Sequence, residues 1–238
     1  MTNEFSAEDR TMKVLALIPA YNESERVGAV IAGVKKYLPV LVVDDGSKDD
    51  TAQTARDQGA EVLRQEPNQG KGQAIMRGFK YALEQGFDAV ITLDADGQHD
   101  PDEIPLFLHE YDSKSSDLII GKRDFSKMPF PRNITNRIGT ISFSNAIQQE
   151  IPDNQSGYRL HSKRLVQEAL QVKEGGFEFE VEIILRCVLS GYKISWVPIK
   201  TIYNKKQNSK ITPLRHVWRF YRLVSRARRI IRSKNRSS

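Results

Sequence analysis

The chain has 238 residues, 39% of them hydrophobic, and a mean hydropathy of −0.50; its apolar runs all fall short of the roughly 18–20 residues that a membrane span needs. These values describe a soluble chain long enough to bury the core of one α/β domain, and they exclude a multi-span membrane protein. The net charge of +6 is uneven, because Lys200 to Ser238 holds 13 of the 36 Lys and Arg residues and none of the 30 Asp and Glu, which leaves −7 on the rest.

Such a basic tail favours anionic partners: lipid head groups, polyphosphates or nucleic acid. Met1 to Arg10 is polar and acidic, unlike a secretory signal, and is expected to be a flexible tail over about residues 1–12. Cys187 is the only cysteine, so no intramolecular disulfide can form and a reducing, cytosolic-side setting is the expectation.

In chain order, Val14 to Ile18 is an apolar strand ended by Pro19. Asn22 is placed as the cap of a helix from about Glu23 to Tyr37, with Glu23 and Glu25 at its positive end. Val40 to Val43 is a second buried strand running into Asp44-Asp45-Gly46-Ser47, and Asp49 or Asp50 can cap the helix that follows to about Gln58. Glu61 to Arg64 is a third strand. Asn68-Gln69-Gly70-Lys71-Gly72 then opens a helix to about Gln85. Ala89 to Leu93 is a β-branched run that delivers Asp94-Ala95-Asp96-Gly97-Gln98-His99 into a turn. Pro101 sits early in a helix to about Tyr111, and Leu118 to Gly121 is a further strand. This alternation predicts a parallel sheet with helices on both faces.

The chemistry gathers at the ends of these strands. Residues two apart on an extended segment point the same way, so Asp94 and Asp96 can converge on one ligand. Hard cations such as Mg2+ or Mn2+ take oxygen ligands and bridge carboxylates to phosphates. Gly70-Lys71-Gly72 can open a helix whose N–H groups and Lys71 face phosphate, although a plain turn fits the same residues. The loop after the first strand lacks G-x-G-x-x-G, which argues against a dinucleotide, and no G-x-x-x-x-G-K-[ST] loop is present.

Pro19-Ala20-Tyr21-Asn22-Glu23, Val43-Asp44-Asp45-Gly46-Ser47, Asn68 to Gly72 and Asp94-Ala95-Asp96-Gly97-Gln98, in this order, resemble family 2 glycosyltransferases of the GT-A fold. The nearest resemblance is to polyprenol-phosphate (dolichol-phosphate) mannosyl- and glucosyltransferases, over about residues 14–210. It implies a Rossmann-like three-layer α/β/α domain over 13–210, a mostly parallel central sheet, and a C-terminal amphipathic basic helix and tail over 211–238. Pro19, Tyr21, Glu23, Val43 and Asp45 would hold the nucleoside of a nucleotide-sugar, with Lys71, Ala95 and Lys210 also on the donor. Asp94, Asp96 and Gln98 would hold the divalent cation, Mg2+ or Mn2+, on the diphosphate. Arg123 resembles the family's phosphate-binding arginine. Asp153-Asn154-Gln155-Ser156-Gly157-Tyr158-Arg159 resembles its D-x-x-S-G-[FY]-[KR] signature beside sugar and acceptor.

On the acceptor side, Lys122 to Pro131 reads as a mobile loop with Phe125 and Phe130, followed by a helix from about Arg132 to Gln148. Arg132 or Arg137 could bind an acceptor phosphate, Arg137 being slightly preferred. Glu178, Glu180 and Glu182 open a helix to Leu189; capping explains some of them, and one could serve as general base for a hydroxyl acceptor. Ile194 to Tyr203 is a late strand. Ser209-Lys210 matches a family position, but Asn204 stands where the family often has arginine, with Lys205 or Lys206 as substitutes.

From Pro213 a helix runs to about Ile231 with Arg215, Arg219, Arg222, Arg226 and Arg229 in one stripe. An interfacial helix on an anionic membrane is preferred to docking on the domain, and docking to a nucleic-acid contact. The expectation is a metal-dependent, inverting transferase at the cytosolic face of a membrane, moving a hexose from a GDP-mannose- or UDP-glucose-type donor to polyprenyl phosphate. The alternatives are transfer to a hydroxyl of a glycolipid, glycan or protein and, more distantly, a non-catalytic nucleic-acid binder. A membrane-protein partner or a homo-oligomer is left open.

Overall fold

The computed structural model describes residues 12–127, 132–172, 179–200, 202 and 213–237. Seven strands are β1 (Val14–Ala20), β2 (Val40–Asp44), β3 (Glu61–Arg64), β4 (Ala89–Thr92), β5 (Leu118–Arg123), β6 (Arg159–Ser162) and β7 (Ile194–Ile199). They form one sheet in the order β3-β2-β1-β4-β6-β5-β7. The strands are apolar and β-branched where they cross the core, and β1 shows the period of two that a doubly covered sheet requires. Ala16 and Ile18 face one cluster, whereas Leu15 and Leu17 face the other.

The first cluster packs under α1 (Ser24–Val34) and α4 (Ile104–Lys114), next to the short α2 (Thr51–Asp57). The second packs under α3 (Lys71–Glu84), α5 (Arg132–Ile147), α6 (Lys163–Ala169), α7 (Phe179–Leu189) and α8 (Pro213–Ser237). The result is the expected three-layer arrangement. Gly78 lets α3 lie close on β1, since a Cβ there would collide with the Leu17 side chain. That approach sets where the first residue of α3, Lys71, meets the strand ends.

Several boundaries and contacts differ from the sequence expectation. A strand and a short helix, β6 and α6, occupy 159–169, and β6 runs antiparallel to both β4 and β5. β6 is four residues long, and its alternating Arg-Leu-His-Ser gives no apolar run to announce it. Lys122 and Arg123 belong to β5, paired with Pro198 and Ile199 of β7, so the loop starts later than expected. Asn22 does not cap α1: it adopts a positive φ of 54°, and its Oδ1 accepts from Lys48 N. The α1 terminus is instead satisfied from the neighbouring loop, where Thr51 Oγ1 accepts from Glu23 N and Asp49 Oδ2 from Ser24 N.

The basic helix docks on the domain, the second of its three readings. Leu223, Val224, Ala227 and Ile231 of α8 are buried in the cluster beneath α5 and α7. Arg226, counted above in the basic stripe, turns inward to pair with Glu182 of α7. Among the described residues no helix is long and apolar enough to cross a membrane. Residues 1–11 lie outside the described part, and with them the N-terminal tail.

Candidate active site

β1 continues outward to β2 and β3 on one side, while the chain returns through β4 on the other. Ligands of open α/β sheets bind beyond the carboxyl ends of strands at such a reversal. Three sequence motifs meet there, after β1, β2 and β4. The turn after β4 is built around Gly97, whose φ of 75° suits glycine. Gln98 closes it by donating from its N and Nε2 to Asp96 Oδ1 and Oδ2, at 3.0 and 2.8 Å. His99 Nδ1 accepts the Asp94 N–H at 3.1 Å, so the imidazole proton sits on Nε2, facing Asp94 Oδ2 at 4.0 Å.

Lys71 reaches the same carboxylate, its Nζ 2.6 Å from Asp94 Oδ1 and 3.3 Å from Glu180 Oε1 of α7. Burial pushes the Asp94 carboxyl up, but the charge and hydrogen bond of Lys71, with smaller contributions from His99 and Arg123, together hold it down at about 2. Asp96 moves the other way, raised by burial and by the charge of Asp94. Burial also lowers His99 to about 4, which keeps it neutral near pH 7. Gly157 closes the site from the side: a Cβ there would stand 2.9 Å from both Asp94 Oδ2 and Lys71 Nζ.

The nucleoside-side residues divide in two. Tyr21 is exposed at the mouth, and Glu23 pairs with Arg26 at 2.7 Å. Val43 is fully buried in the core and can offer no more than a floor. Asp45, which the resemblance puts on the nucleoside, also has a structural task. It is buried, its Oδ1 accepts from Gln65 Nε2 and Gln69 N, and its Oδ2 accepts from Gly70 N at 2.8 Å. It braces the loop that presents Lys71.

On the acceptor side the signature residues are also braces. Arg123 is buried against Asp153 in a two-point pair, Nε to Oδ2 at 2.7 Å and Nη2 to Oδ1 at 2.9 Å. Its guanidinium is thus held by Asp153 at the wall of a cleft. Asp153 Oδ1 also accepts from Gln155 N and Ser156 N, which folds the turn on itself. Fully buried Arg159 then donates to the carbonyls of Ser156, Asn154 and Glu180, joining that turn to the start of α7. The sequence offered no sign of this role beyond Arg159 closing the signature.

Beside this turn lies a cleft of about 970 Å3 with a mixed lining, Lys122, Arg123, Arg137 and Lys200 standing among Asp100, Asp102, Glu103 and Asp124. Arg137 therefore lands where an anionic acceptor group can reach it, together with two lysines that sequence reading had not assigned. Arg132 opens α5, its side chain lying outside the described residues. Of the three glutamates, Glu180 faces Lys71 and Glu182 faces Arg226 and Arg186 on the α8 side. Glu182 is thus an anchor for α8, which among the described glutamates leaves Glu180 as the general-base option. Glu178, Asn204, Lys205, Lys206, Ser209, Lys210, Pro129, Phe130 and Pro131 lie outside the described residues.

Among the described residues no three His, Cys, Asp or Glu side chains form a ready-made metal site. A divalent ion here would therefore take part of its oxygen shell from a ligand. The like-charged Asp94–Asp96 pair, with the Asp96 carboxyl raised in the absence of a cation, fits that demand.

The glycosyl transferase family 2 model matches residues 16–170. An undecaprenyl-phosphate mannosyltransferase from Micrococcus luteus is 31% identical over 84% of this chain and 88% of its own length. A UDP-N-acetylglucosamine–dolichyl-phosphate N-acetylglucosaminyltransferase from Methanococcus voltae is 30% identical over 89% of this chain and 94% of its own. Among solved structures, glucosyl-3-phosphoglycerate synthase from Mycobacterium tuberculosis, in complex with Mn2+, UDP and phosphoglyceric acid, superposes with a TM-score of 0.71 at 19% identity, covering 91% of this chain and 77% of that one.

Proposed function

Because the chain belongs to glycosyl transferase family 2, we propose that it moves a hexose from a GDP-mannose- or UDP-glucose-type donor onto polyprenyl or dolichyl phosphate, with inversion at C1. The observation that carries this reading is the placement of two unlike sites on either side of the Gly157 turn. One is the Asp94–Asp96 pair, suited to a diphosphate through Mg2+ or Mn2+. The other is the mixed-charge cleft in which Arg137, with Lys122 and Lys200, offers a contact for an anionic acceptor group among Asp100, Asp102, Glu103 and Asp124. The lipid-phosphate acceptors named for the Micrococcus and Methanococcus relatives support the same choice.

The acceptor phosphate oxygen attacks C1 as the bond from C1 to the donor diphosphate breaks. Asp94 and Asp96 would hold a divalent ion, which when bound would supply charge stabilisation for the leaving diphosphate. The protein's own part is positional. The Arg159-braced turn fixes Gly157 against Asp94, and Arg137 in the neighbouring cleft holds the acceptor in line. An anionic phosphate needs no base, in keeping with Glu182 being taken up by α8.

A membrane surface would present such a lipid. Ile134, Ile138 and Ile141 form an exposed stripe on α5 at 47–52% exposure, and α8 adds exposed Trp218 and Tyr221 beside Arg222 and Arg229. The two helices adjoin where Gly139 lies near Phe220. Aromatic, aliphatic and basic side chains together suit peripheral binding at the cytosolic face, with residues 13–210 as the transferase and 211–238 as its membrane-facing addition. A hydroxyl acceptor is the second reading, favoured by Glu180 standing beside the donor site.

The test is to incubate the full chain with radiolabelled GDP-mannose or UDP-glucose, Mg2+, and short polyprenyl phosphates. Label is expected in the lipid phase and lost in Asp96→Ala. Failure of label to enter lipid with any donor overturns the reading. A loss of more than about a hundredfold in Glu180→Gln, against a glycan acceptor, would support a general base instead.

A further inference from the structure

The arrangement at Asp94 poses a problem that the transfer reaction alone does not explain. The carboxylate meant for a divalent ion already holds an ammonium, Lys71 Nζ at 2.6 Å. The same nitrogen lies 3.3 Å from Glu180 Oε1, so one lysine bridges two carboxylates from different elements. Two cations cannot share Asp94 at contact distance without strong repulsion.

We propose that Lys71 is an internal counter-cation: it occupies Asp94 while the donor is absent and passes to the diphosphate when the metal-bound nucleotide arrives. The inference rests on the donor reading given above and adds a regulation of that site. Metal and nucleotide then bind as a linked pair. A free divalent ion must displace Lys71 from its closest partner and leave the ammonium with Glu180 alone. The metal–nucleotide complex brings phosphate oxygens that accept the ammonium, so the displacement is compensated.

The local construction suits a mobile side chain on a fixed base. Asp45 holds the N–H groups of Gln69 and Gly70, which immobilises the loop immediately before Lys71. Beyond that anchor the lysine has a flexible four-carbon stem and a compact charge, and its side chain is one-third exposed. Gly157 offers no Cβ to wedge between Lys71 Nζ and Asp94, each 2.9 Å from where that atom would stand. The ammonium can therefore leave without moving backbone. Glu180 gives it a second partner during the exchange. Linkage is reciprocal: whatever the nucleotide adds to metal affinity, the metal adds to nucleotide affinity.

The test measures Mn2+ binding to the full chain by paramagnetic resonance or titration calorimetry, with and without GDP or UDP. Wild type is expected to bind free Mn2+ weakly and to gain at least about tenfold with the nucleotide, the size expected for exchanging one charge-assisted hydrogen bond. Lys71→Met should bind free Mn2+ about tenfold more tightly than wild type and lose most of the nucleotide-induced gain. Lys71→Gln should behave alike while keeping amide donors for Asp94 and Glu180, which guards against a folding defect. Unchanged or weaker binding of free Mn2+ in the folded variants overturns the proposal, and so does a wild type that binds Mn2+ equally well with and without nucleotide. A wild type that binds no nucleotide under any metal condition overturns the donor reading itself, and the counter-cation role with it.

Discussion

Gly157 and Arg159 stand two residues apart and do opposite things for the site, one by leaving space and the other by filling it. A methyl group at 157 would press on Asp94 and Lys71 together, at 2.9 Å from each nearest atom. Gly157→Ala is therefore expected to weaken nucleotide binding at least about tenfold while costing little global stability, about 1 kcal/mol, measured by calorimetry and urea unfolding. Arg159 is buried and donates to three main-chain carbonyls from two segments. Arg159→Met leaves those carbonyls without their donor, so a loss of about 3 kcal/mol or more in urea unfolding is expected. A stability change below about 1 kcal/mol would show that the carbonyls find other partners.

At the scale of elements, α7 joins the donor site to α8. Glu180 in its first turn meets Lys71, and Glu182, two residues on, meets Arg226. Glu182 is almost fully buried and lies on the α8 side, so its loss should be felt in docking rather than in chemistry. Glu182→Gln is expected to lower stability by about 1–3 kcal/mol, with transfer to a phosphate acceptor kept within a few-fold of wild type. Limited proteolysis within α8 together with turnover checks both parts. Ala227→Asp tests the same interface from the other side, since it puts a charge into the buried face of α8. The outward face of α8, with Trp218 and Tyr221, should then govern binding to vesicles containing anionic lipid. Trp218→Ala with Tyr221→Ala is expected to reduce co-sedimentation and to leave soluble-donor binding intact.

At the scale of the whole molecule, two buried neutral histidines set how stability responds to acid. Burial lowers His99 to about 4, and burial with the charge of Arg159 lowers His161 to about 3; unfolded histidine titrates near 6.5. Between those values and 6.5 the unfolded chain binds more protons than the folded one, so stability falls as pH falls through that window. Two such groups give a slope of at most about 2.7 kcal/mol per pH unit. Asp94, held at about 2 in the fold, adds a further loss below about pH 4 in the same direction. Urea midpoints at several pH values between 7.5 and 5 should drop steadily, and His161→Leu, remote from the donor site, should flatten the slope by about half. A flat profile above pH 5 would contradict the neutral assignment.

Much of this was legible in the chain itself. Apolar runs of four to seven residues alternating with amphipathic segments set a layered α/β fold, and the position of Asp94 and Asp96 just after β4 follows from where its apolar run stops. Such features are local, because burial periodicity and turn chemistry act over a few residues. What only the tertiary structure decided are the pairings between distant residues. These are β6 inserted antiparallel between β4 and β5, Lys71 meeting Glu180 across 109 positions, Arg123 engaged by Asp153, and Arg226 turned onto Glu182. A hydrophobic pattern says that a face will be covered but not by which element, and a charged residue does not carry the identity of its partner. Those choices depend on how helices stack on the finished sheet, and they converted a recognisable Asp94–Asp96 turn into a site with its own resident cation.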